Sequence, residues 1–400
     1  MGSDGPAFRA LRGALLGAAW RAPGVRTLRR PATAHTPEFD LAYVRTGPEG
    51  RRPPALVIPG GPGLGSVLPY RFLRRIAARR GLDLIMVEHR GVGLSRTDLT
   101  GHDLPAAAMR IDEVVADLGA VLDHEGVERV HVVGSSYGSY LASCFGAAQP
   151  QRVAGMILDS ALQSAGDLEL ERTVIRRLLW EGPSPAARAV RQLHAAGLDP
   201  RVLLDVTRAA YELGGEPLLV ALAERRLRSR RSGAWRALAA YATRDETIVR
   251  YPGIYEFDLV GAIAFRELGY GAHPDGHPLD PASTYAPLAG QFPAFAGEPV
   301  DLASAAGTIA WPLVLLSGAR DLRTPPEIAA RVARAAPGAV IVPLQNGHSA
   351  LDTHPMALLN ALDRLLAGQH ETLPGIADRL DALPRRGPVA GGLRLLELVT

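Results

Sequence analysis

Apolar positions along this chain follow two spacings, and the two alternate. Short continuous apolar runs predict buried strands, whereas apolar residues at every third or fourth position predict helices. In the first part of the chain, predicted strands cover Phe39–Arg45, Ala55–Ile58, Leu82–Val87, a run that ends at Ser135, and Val153–Leu158. Predicted helices between them cover 69–80, Ile111–Glu125 and a segment that ends at about Gln149. Alternating strands and helices favour an α/β fold with a mostly parallel, doubly wound sheet.

The alternation stops at about residue 163, and this break divides the chain. Residues 163–305 are predicted to be mostly helical, with joints rich in proline and glycine. The alternation then resumes with a strand at Pro312–Ser317, a helix at Pro326–Ala335, a strand at Ala339–Pro343 and a helix from Leu351 to Leu366. The pattern therefore predicts one α/β core with an inserted helical lid. The predicted boundaries are a basic N-terminal arm at 1–35, the core at 36–162 and 306–370, the lid at 163–305 and a C-terminal tail at 371–400.

Composition and charge exclude several classes of protein. Of the 400 residues, 47% are hydrophobic, which is ample for a large core, and the formal net charge is only +3. All 44 basic residues are arginine. We interpret this as a coding bias, because nucleic-acid binding would need the arginines clustered on one element. The densest run, Arg225–Arg231, is expected on a solvated helix face. We therefore expect no nucleic-acid partner.

One cysteine and the absence of a long apolar run set further limits. Cys144 has no second cysteine to pair with, which rules out an intrachain disulfide and a cysteine-based metal site. No run of eighteen apolar residues occurs, so we expect no membrane span. The apolar stretch 13–20 follows Arg9 and Arg12, but it is short for a signal peptide and lacks a clear cleavage site. We expect a cytoplasmic protein with a mobile basic arm rather than an exported one.

Candidate chemistry begins at Gly134–Gly138, where Gly-Ser-Ser-Tyr-Gly lies between an apolar strand and an apolar helix. This is the strand–turn–helix setting of a G-x-S-x-G nucleophile elbow. Gly134 and Gly138 have no Cβ, so the strand and the helix can approach very closely. Ser136 is then expected at the helix N-terminus, where the helix dipole favours developing negative charge. We predict that Ser136 is a nucleophile.

A serine nucleophile needs a base, and the base needs an acid that sets its tautomer. With this type of elbow the partners follow in the order serine, acid, histidine. Asp321 lies in the turn after the strand predicted at 312–317, and His348 follows the last predicted strand. We predict that Asp321 is the acid and His348 the base. Asp159, which directly follows another strand, is the alternative acid, and His354 is expected to be a cap or surface residue.

Acyl transfer also needs two backbone N–H groups that bind the oxyanion. We predict that one belongs to Tyr137, the residue after the nucleophile. The other is expected from Gly61, in the Gly-Pro-rich loop that follows the strand at 55–58. Glycine lets the backbone of this loop approach a substrate, and Gly60 is expected to contact it as well.

With these residues, the chain resembles the α/β-hydrolase superfamily and, within it, the proline iminopeptidase and tripeptidyl aminopeptidase branch of serine peptidases. The motifs that carry the resemblance are Gly60-Gly61-Pro62-Gly63, Glu88-His89-Arg90-Gly91, Ser136-Tyr137-Gly138, Leu158-Asp159-Ser160, Gly318-x-x-Asp321 and Gly347-His348. Pro59 and His89 depart from the histidine and glutamine usual in that branch. The resemblance implies an α/β-hydrolase fold with a lid, and an acyl-enzyme mechanism without a metal or an organic cofactor.

The resemblance further implies an exo-acting aminopeptidase that releases N-terminal residues or short peptides. In this branch, lid carboxylates hold the free ammonium of the substrate. The candidates here are Glu181, Glu256, Asp258 and Glu267. Glu267 is preferred among them, and its competing interpretation is a surface ion pair with Arg266 or another arginine. The competing functions are an esterase, lactonase or thioesterase with an uncharged lid pocket, and a non-catalytic binding module. The expected partner is a small peptide or a small-molecule acyl substrate.

Overall fold

An eight-stranded sheet forms the centre of the computed structural model, which describes residues 5–50, 52–229, 232–242 and 250–385. In chain order the strands are β1 Val25–Arg30, β2 Phe39–Thr46, β3 Ala55–Ile58, β4 Leu84–Val87, β5 Val130–Ser135, β6 Val153–Asp159, β7 Leu313–Gly318 and β8 Val340–Leu344. Their order across the sheet is β1-β2-β4-β3-β5-β6-β7-β8. The β1–β2 and β2–β4 pairs are antiparallel, and all pairs from β4 to β8 are parallel. The prediction of a mostly parallel sheet is confirmed.

Helices cover both faces of this sheet. Their ranges are α1 Pro6–Trp20, α2 Arg71–Arg79, α3 Ile111–His124, α4 Tyr137–Ala148, α5 Asp167–Arg176, α6 Pro185–Ala195, α7 Pro200–Arg228, α8 Gly233–Ala242, α9 Phe257–Leu268, α10 Leu302–Ala306, α11 Pro326–Ala335, α12 Ala350–Thr353, α13 Pro355–Leu366 and α14 Ala377–Asp381. One apolar cluster joins the sheet to α3, α4 and α11, and a second joins it to α1, α2, α13 and α14. Within β5, Val132 belongs to the first cluster and Val133 to the second, because successive strand side chains point to opposite faces.

The segment between β6 and β7 is mainly helical and carries an apolar cluster built largely from α5 to α8. Helix α7 is kinked at Gly215, whose φ of 69° is in the left-handed region that glycine tolerates. Before the kink, α7 rests directly on the loop after β8. A Cβ added to Gly347 would lie 2.6 Å from the carbonyl oxygen of Glu212. The helical segment therefore contacts the core at the carboxyl ends of the last strands.

The N-terminal residues differ from the predicted mobile arm. Helix α1 buries Ala19 against the sheet, and β1 is an edge strand of the sheet itself. The arm prediction is therefore wrong for residues 6–20 and 25–30, and residues 1–4 lie outside the described residues. The apolar pattern missed β1 because three of its six residues are arginine. Tertiary partners accommodate them, as in the ion pair of Arg30 with the buried Asp117 at 2.8 Å.

The first part of the predicted C-terminal tail also belongs to the fold. Leu373, Ala377 and Leu380 are buried in the apolar cluster that α13 forms with the sheet. Residues 386–400 of the tail, and residues 230 and 231 of the arginine run, lie outside the described residues. Over the described ranges, no helix is both long enough and apolar enough to cross a membrane.

Candidate active site

The predicted nucleophile lies in a sharp turn between β5 and α4. Ser136 has a φ of 55°, which a residue with a Cβ rarely adopts and which stores strain at this position. A Cβ on Gly134 would lie 2.2 Å from the carbonyl oxygen of Gly138. A Cβ on Gly138 would lie 2.1 Å from the carbonyl oxygen of Ile58. The strand and the helix therefore touch backbone to backbone, and only glycine fits at both contacts.

We expect Gly138→Ala to lower the free energy of unfolding by about 3 kcal/mol or more, because the new methyl group meets backbone that has no room to move. Denaturant unfolding measures this change. Gly13→Ala in α1 is the matched control, since a Cβ there meets nothing within 4 Å. This control should stabilise slightly, because alanine favours a helix more than glycine does. Equal stabilities of Gly138→Ala and the parent would contradict the contact.

The structure brings the three predicted side chains together. His348 Nε2 lies 2.9 Å from Ser136 Oγ, and His348 Nδ1 lies 3.0 Å from each carboxylate oxygen of Asp321. The buried Asp321 also accepts hydrogen bonds from the backbone N–H groups of Arg323 and Thr324 at 2.9 Å and from Thr324 Oγ1 at 2.8 Å. These donors orient the carboxylate towards the imidazole. The three groups thus form one continuous hydrogen-bonded series.

Electrostatics keep Asp321 ionised beside the imidazole. Burial alone would raise the pKa of Asp321, but the charge and hydrogen bond of His348 outweigh it and lower the pKa to about 2. Burial likewise disfavours charged His348, yet the adjacent Asp321 carboxylate raises its pKa above the ordinary value. A carboxylate that is charged at neutral pH therefore supports an imidazole that can take up a proton.

The alternative acid, Asp159, contacts other groups. Its carboxylate accepts hydrogen bonds from the N–H groups of Ala350 and Leu351, both at 2.9 Å, and from Ser135 Oγ at 2.7 Å. Burial raises the pKa of Asp159 to about 6. Since His348 Nδ1 is bonded to Asp321, the geometry favours Asp321 as the acid.

His354, expected to be a cap or surface residue, is fully buried. Its Nε2 lies 3.1 Å from the carbonyl oxygen of Asp381 in α14. The surface alternative is therefore wrong for this residue, because α14 covers it.

The predicted oxyanion donors belong to the residue after Ser136 and to the loop after β3. Tyr137 is the first residue of α4, so its backbone N–H has no carbonyl one turn earlier to bond. Gly61 lines the same cavity as Ser136. Gly60 packs behind the nucleophile, where an added Cβ would lie 3.1 Å from the Cβ of Ser136. The Tyr137 hydroxyl lies 3.1 Å from Nε2 of the half-buried His89, a contact that helps to hold the start of α4.

A cavity of about 130 Å³ opens onto Ser136 and His348. Its walls combine apolar side chains of the helical segment with the rings of Tyr270 and Tyr285. The acidic side chains on its wall are Asp167 and Glu171 of α5. Among the described residues, no group of three or more His, Cys, Asp or Glu side chains could hold a metal ion.

The preferred lid carboxylate, Glu267, does not line this cavity. It is buried, and its carboxylate accepts a hydrogen bond at 2.8 Å from the N–H of Ile111 at the start of α3. Both interpretations of Glu267 are therefore corrected, because the side chain caps a core helix instead of facing a substrate or Arg266. Glu256 accepts hydrogen bonds from the N–H groups of Gly93 and Gly253.

The other two candidates are also placed elsewhere. Asp258 pairs with Arg96 at 2.8 Å, and Glu181 is exposed at the end of a helical turn. Neither borders the cavity that contains Ser136. Sequence reasoning named these four as carboxylates of the predicted lid and preferred Glu267 because its neighbours suggest little exposure, a property that does not distinguish a substrate pocket from the protein interior.

Glu171 is one of two lid carboxylates on the cavity wall, with Asp167, that sequence reasoning missed. It lines the cavity and lies 3.1 Å from Arg208 Nη1, while Arg208 Nη2 also bonds Asp205 at 3.0 Å. Burial raises the pKa of Glu171 to about 7. A signal was present in the sequence, because Glu171 precedes the buried Val174 and Ile175 by three and four residues and so shares their helix face.

Comparisons with known proteins agree with this fold. Residues 53–196 match the family described as alpha/beta hydrolase fold. A proline iminopeptidase of Lactobacillus delbrueckii subsp. bulgaricus is 29% identical over 147 residues, which cover 36% of this chain and 48% of the relative. One of Lactobacillus helveticus is 28% identical over 139 residues, covering 34% and 46%. The solved structure of VinJ matches 86% of this chain and 99% of its own, with a TM-score of 0.50 and 16% identity.

The sheet topology, the elbow and these matches define an α/β-hydrolase fold, as predicted. The match over residues 53–196 confirms the resemblance to the α/β-hydrolase superfamily. Within it, the sequence likeness to proline iminopeptidases confirms the resemblance to the peptidase-like branch. The chain spans about half the length of the curated relatives that it matches.

Proposed function

We propose that this chain is a serine hydrolase that forms an acyl-enzyme on Ser136, with His348 as general base and Asp321 as the orienting acid. The observation that carries the proposal is the hydrogen-bonded series from Ser136 Oγ through His348 to Asp321, which opens onto a cavity beneath the helical segment. A positive-φ serine between two glycine contacts supports it, because such strain persists where a function requires it.

The geometry suits a two-stage acyl transfer. His348 Nε2 takes the hydroxyl proton of Ser136 as Oγ attacks the substrate carbonyl carbon. The N–H groups of Tyr137 and Gly61 then bind the oxyanion, and each such donor contributes about 3 kcal/mol to the transition state. His348 returns the proton to the leaving group while Asp321 stabilises the imidazolium. A water molecule activated by His348 then attacks the acyl ester and releases Ser136.

A second cavity supplies room for a leaving group. It has a volume of about 190 Å³ and borders His348 and Arg323, which also border the first cavity. A leaving group must lie near His348 Nε2, which gives it a proton. We assign the acyl part of the substrate to the first cavity and the leaving group to the second.

For the substrate, we propose a peptide with a free N-terminus, so that the enzyme is an exo-aminopeptidase. Glu171 supports this substrate, because it places a carboxylate on the wall of the cavity that holds Ser136. The charged groups that act on Glu171 are Arg208, Arg323, Glu212 and Asp321. Burial makes the ionised carboxylate costly, and a bound ammonium would add to the compensation that Arg208 gives.

We expect Glu171→Gln to raise KM for substrates with a free amine by about 10- to 100-fold, since a hydrogen bond to a charged group contributes about 1.5–3 kcal/mol. Acetylated substrates should not show this change.

With its pKa raised to about 7, Glu171 carries its charge only above that pH. A substrate α-amino group loses its charge above about 8. The value of kcat/KM for free-amine substrates should therefore peak between these two values and fall on the acid side as Glu171 and His348 are protonated.

Glu327→Gln is the matched control, because Glu327 is an exposed glutamate that pairs with Arg177 at 2.8 Å on the surface. Its KM should equal that of the parent. An unchanged KM in Glu171→Gln would contradict the assignment of Glu171 as the ammonium site.

The experiment that tests the proposed function is hydrolysis of a matched panel. The panel contains aminoacyl and tripeptidyl anilides with free N-termini, the same compounds acetylated, and simple acyl esters. Cleavage of the free anilides alone supports an exo-aminopeptidase. Turnover of esters alone supports an esterase, lactonase or thioesterase, and no turnover together with no labelling of Ser136 by a fluorophosphonate supports a binding module.

A further inference from the structure

The loop of residues 60–65, here called the oxyanion loop, is paired with residues 253–256 of the helical segment. Two backbone hydrogen bonds, each of 2.9 Å, join them. These bonds run from the N–H of Glu256 to the carbonyl oxygen of Gly63, and from the N–H of Gly65 to the carbonyl oxygen of Ile254. An isolated antiparallel β-bridge lies between the two bonds. The helical segment is therefore hydrogen-bonded to the loop that carries a predicted oxyanion donor, and no role in the chemistry has so far been given to this pairing.

The two paired segments touch backbone to backbone. A Cβ on Gly65 would lie 2.3 Å from the carbonyl oxygen of Gly253. Within the oxyanion loop, a Cβ on Gly61 would lie 2.6 Å from the backbone nitrogen of Gly63. Gly61 therefore packs against the residue whose carbonyl oxygen the helical segment holds. Because close-packed groups transmit a displacement, a movement of residues 253–256 would move Gly63 and Gly61 as well.

The carboxylate of Glu256 fixes the shape of the paired segment. The side chain is buried, and its Oε2 accepts hydrogen bonds from the N–H of Gly253, at 3.1 Å, and from the N–H of Gly93 in the loop after β4. Its Oε1 lies 3.2 Å from Nη1 of the buried Arg96. One carboxylate thus closes the turn at residues 253–256 and attaches that turn to the core.

The residues that follow the oxyanion loop are held by the core alone. Oε2 of the buried Glu88 accepts hydrogen bonds from the N–H of Ser66 at 2.5 Å and from the N–H of Val67 at 3.0 Å. These bonds do not involve the helical segment. Loss of the Glu256 carboxylate should therefore loosen the oxyanion loop while its far end stays in place.

We propose that Glu256 is a positioning residue for the acyl transfer, and that its carboxylate holds residues 253–256 where they keep the N–H of Gly61 directed at the oxyanion. This inference rests on the proposed function of Ser136. Glu256 does not border the cavity that contains Ser136, so it acts through the oxyanion loop. The helical segment thus shapes the catalytic machinery as well as the walls of the cavity.

The experiment compares two reagents that label Ser136 in the full chain, an alkyl fluorophosphonate and its counterpart in which sulfur replaces the phosphoryl oxygen. With both reagents Ser136 Oγ attacks phosphorus, fluoride leaves and His348 takes the hydroxyl proton. Negative charge grows on the phosphoryl oxygen or on the sulfur, and sulfur accepts hydrogen bonds only weakly. The ratio of the two labelling rates therefore reports the oxyanion donors. A change in the base or in the folded fraction affects both rates and cancels in the ratio.

Two variants disturb the pairing from opposite sides. Glu256→Ala removes the carboxylate, and Gly65→Ala places a methyl group against the carbonyl oxygen of Gly253. We expect each variant to react about 10- to 100-fold more slowly with the oxygen reagent, a smaller effect than the complete loss of an oxyanion donor. The sulfur reagent should lose much less, so the ratio of the two rates should fall by at least about 3-fold.

Glu256→Gln separates the accepted hydrogen bonds from the charge. Its amide oxygen can still accept the two backbone N–H groups, while Arg96 keeps its ion pairs with Asp103 and Asp258, both at 2.8 Å. The ratio in this variant should therefore stay close to that of the parent.

Glu267→Ala is the matched control. Glu267 is a buried glutamate of the same helical segment, and its carboxylate also accepts a backbone N–H of the core, that of Ile111 at 2.8 Å. This N–H belongs to α3 and not to the oxyanion loop. The control should lose stability without a change in the ratio of the two rates.

An unchanged ratio in Glu256→Ala and Gly65→Ala would overturn the inference, as would an equal fall of the ratio in Glu267→Ala. Equal slowing with both reagents would mean a structural role only, with the same consequence. A fall in Glu256→Gln as large as in Glu256→Ala would assign the effect to charge and would also overturn it. Gly65→Ala decides the matter if Glu256→Ala does not fold. Failure of the proposed function is distinguishable, since the parent itself would then not be labelled at Ser136.

Discussion

Ser136→Ala should lower kcat by about a million-fold, because removing the nucleophile of such a triad eliminates the acyl-enzyme route and leaves only the effects of binding and the oxyanion site. The reason is local. Ser136 Oγ is the group within hydrogen-bonding distance of His348 Nε2, at 2.9 Å, and the cavity opens onto both. The measurement is single-turnover hydrolysis of whichever substrate of the panel the parent cleaves, together with mass spectrometry of the acyl-enzyme.

The control for this prediction is stability. Ser136→Ala keeps the positive φ of 55° and should unfold at the same denaturant concentration as the parent. Ser136→Gly should be equally inactive but more stable by about 1 kcal/mol, since glycine adopts this backbone conformation without strain. Retention of more than a hundredth of the parent activity in Ser136→Ala, with the fold intact, would contradict the role of Ser136.

Asp321→Asn should lower kcat by about ten-thousand-fold at neutral pH, as expected when an amide replaces the acid of a serine triad. An amide presents an N–H group or a neutral oxygen to His348 Nδ1, so it favours the wrong imidazole tautomer and cannot stabilise the imidazolium. Steady-state kinetics at pH 7 give the effect. Asp321 bonds Nδ1 at 3.0 Å, whereas Asp159 bonds Ser135 and the backbone after His348.

Asp159→Asn is therefore the discriminating comparison. We expect it to reduce kcat at least a hundred-fold less than Asp321→Asn does, with a loss of stability because an amide N–H then faces the N–H groups of α12. If the two effects were reversed, Asp159 would be the acid.

The pH dependence of stability gives a second check. The folded-state pKa of Asp321 is lowered to about 2 from its usual value near 4, so its stabilising contribution is present above pH 4 and is lost as the pH falls towards 2.

The local pattern of the chain predicts the core elements closely. β3 and α11 have the predicted bounds, because each is an apolar run or an amphipathic helix bordered by proline or glycine. β1 and the packing of α1 were missed. Both elements are rich in arginine and alanine, so their sequences show no clear apolar face. The sheet edge and ion pairs such as Arg30–Asp117 are what hold these residues in the fold.

The candidate site likewise has residues that the sequence predicts and residues that it does not. The loops of Ser136, Asp321 and His348 follow strand ends that periodicity locates, and parallel strands bring their carboxyl ends to one edge of the sheet. No comparable rule predicts where the side chains of the helical segment lie relative to Ser136. Glu267 and Glu171 both lie on amphipathic helices, and only the way in which those helices pack decides that Glu267 caps α3 while Glu171 faces the cavity.

By itself, the sequence determined the sheet-and-helix class of the fold, the elbow at Ser136, and the order in which Asp321 and His348 follow it. These depend on residue spacing and on backbone sterics, which act over short stretches of chain. Only the tertiary structure decided which carboxylate reaches His348 and which lid acids border the cavity. Those contacts join residues that are distant in the chain, 27 positions apart for Asp321 and His348, and no local pattern encodes them.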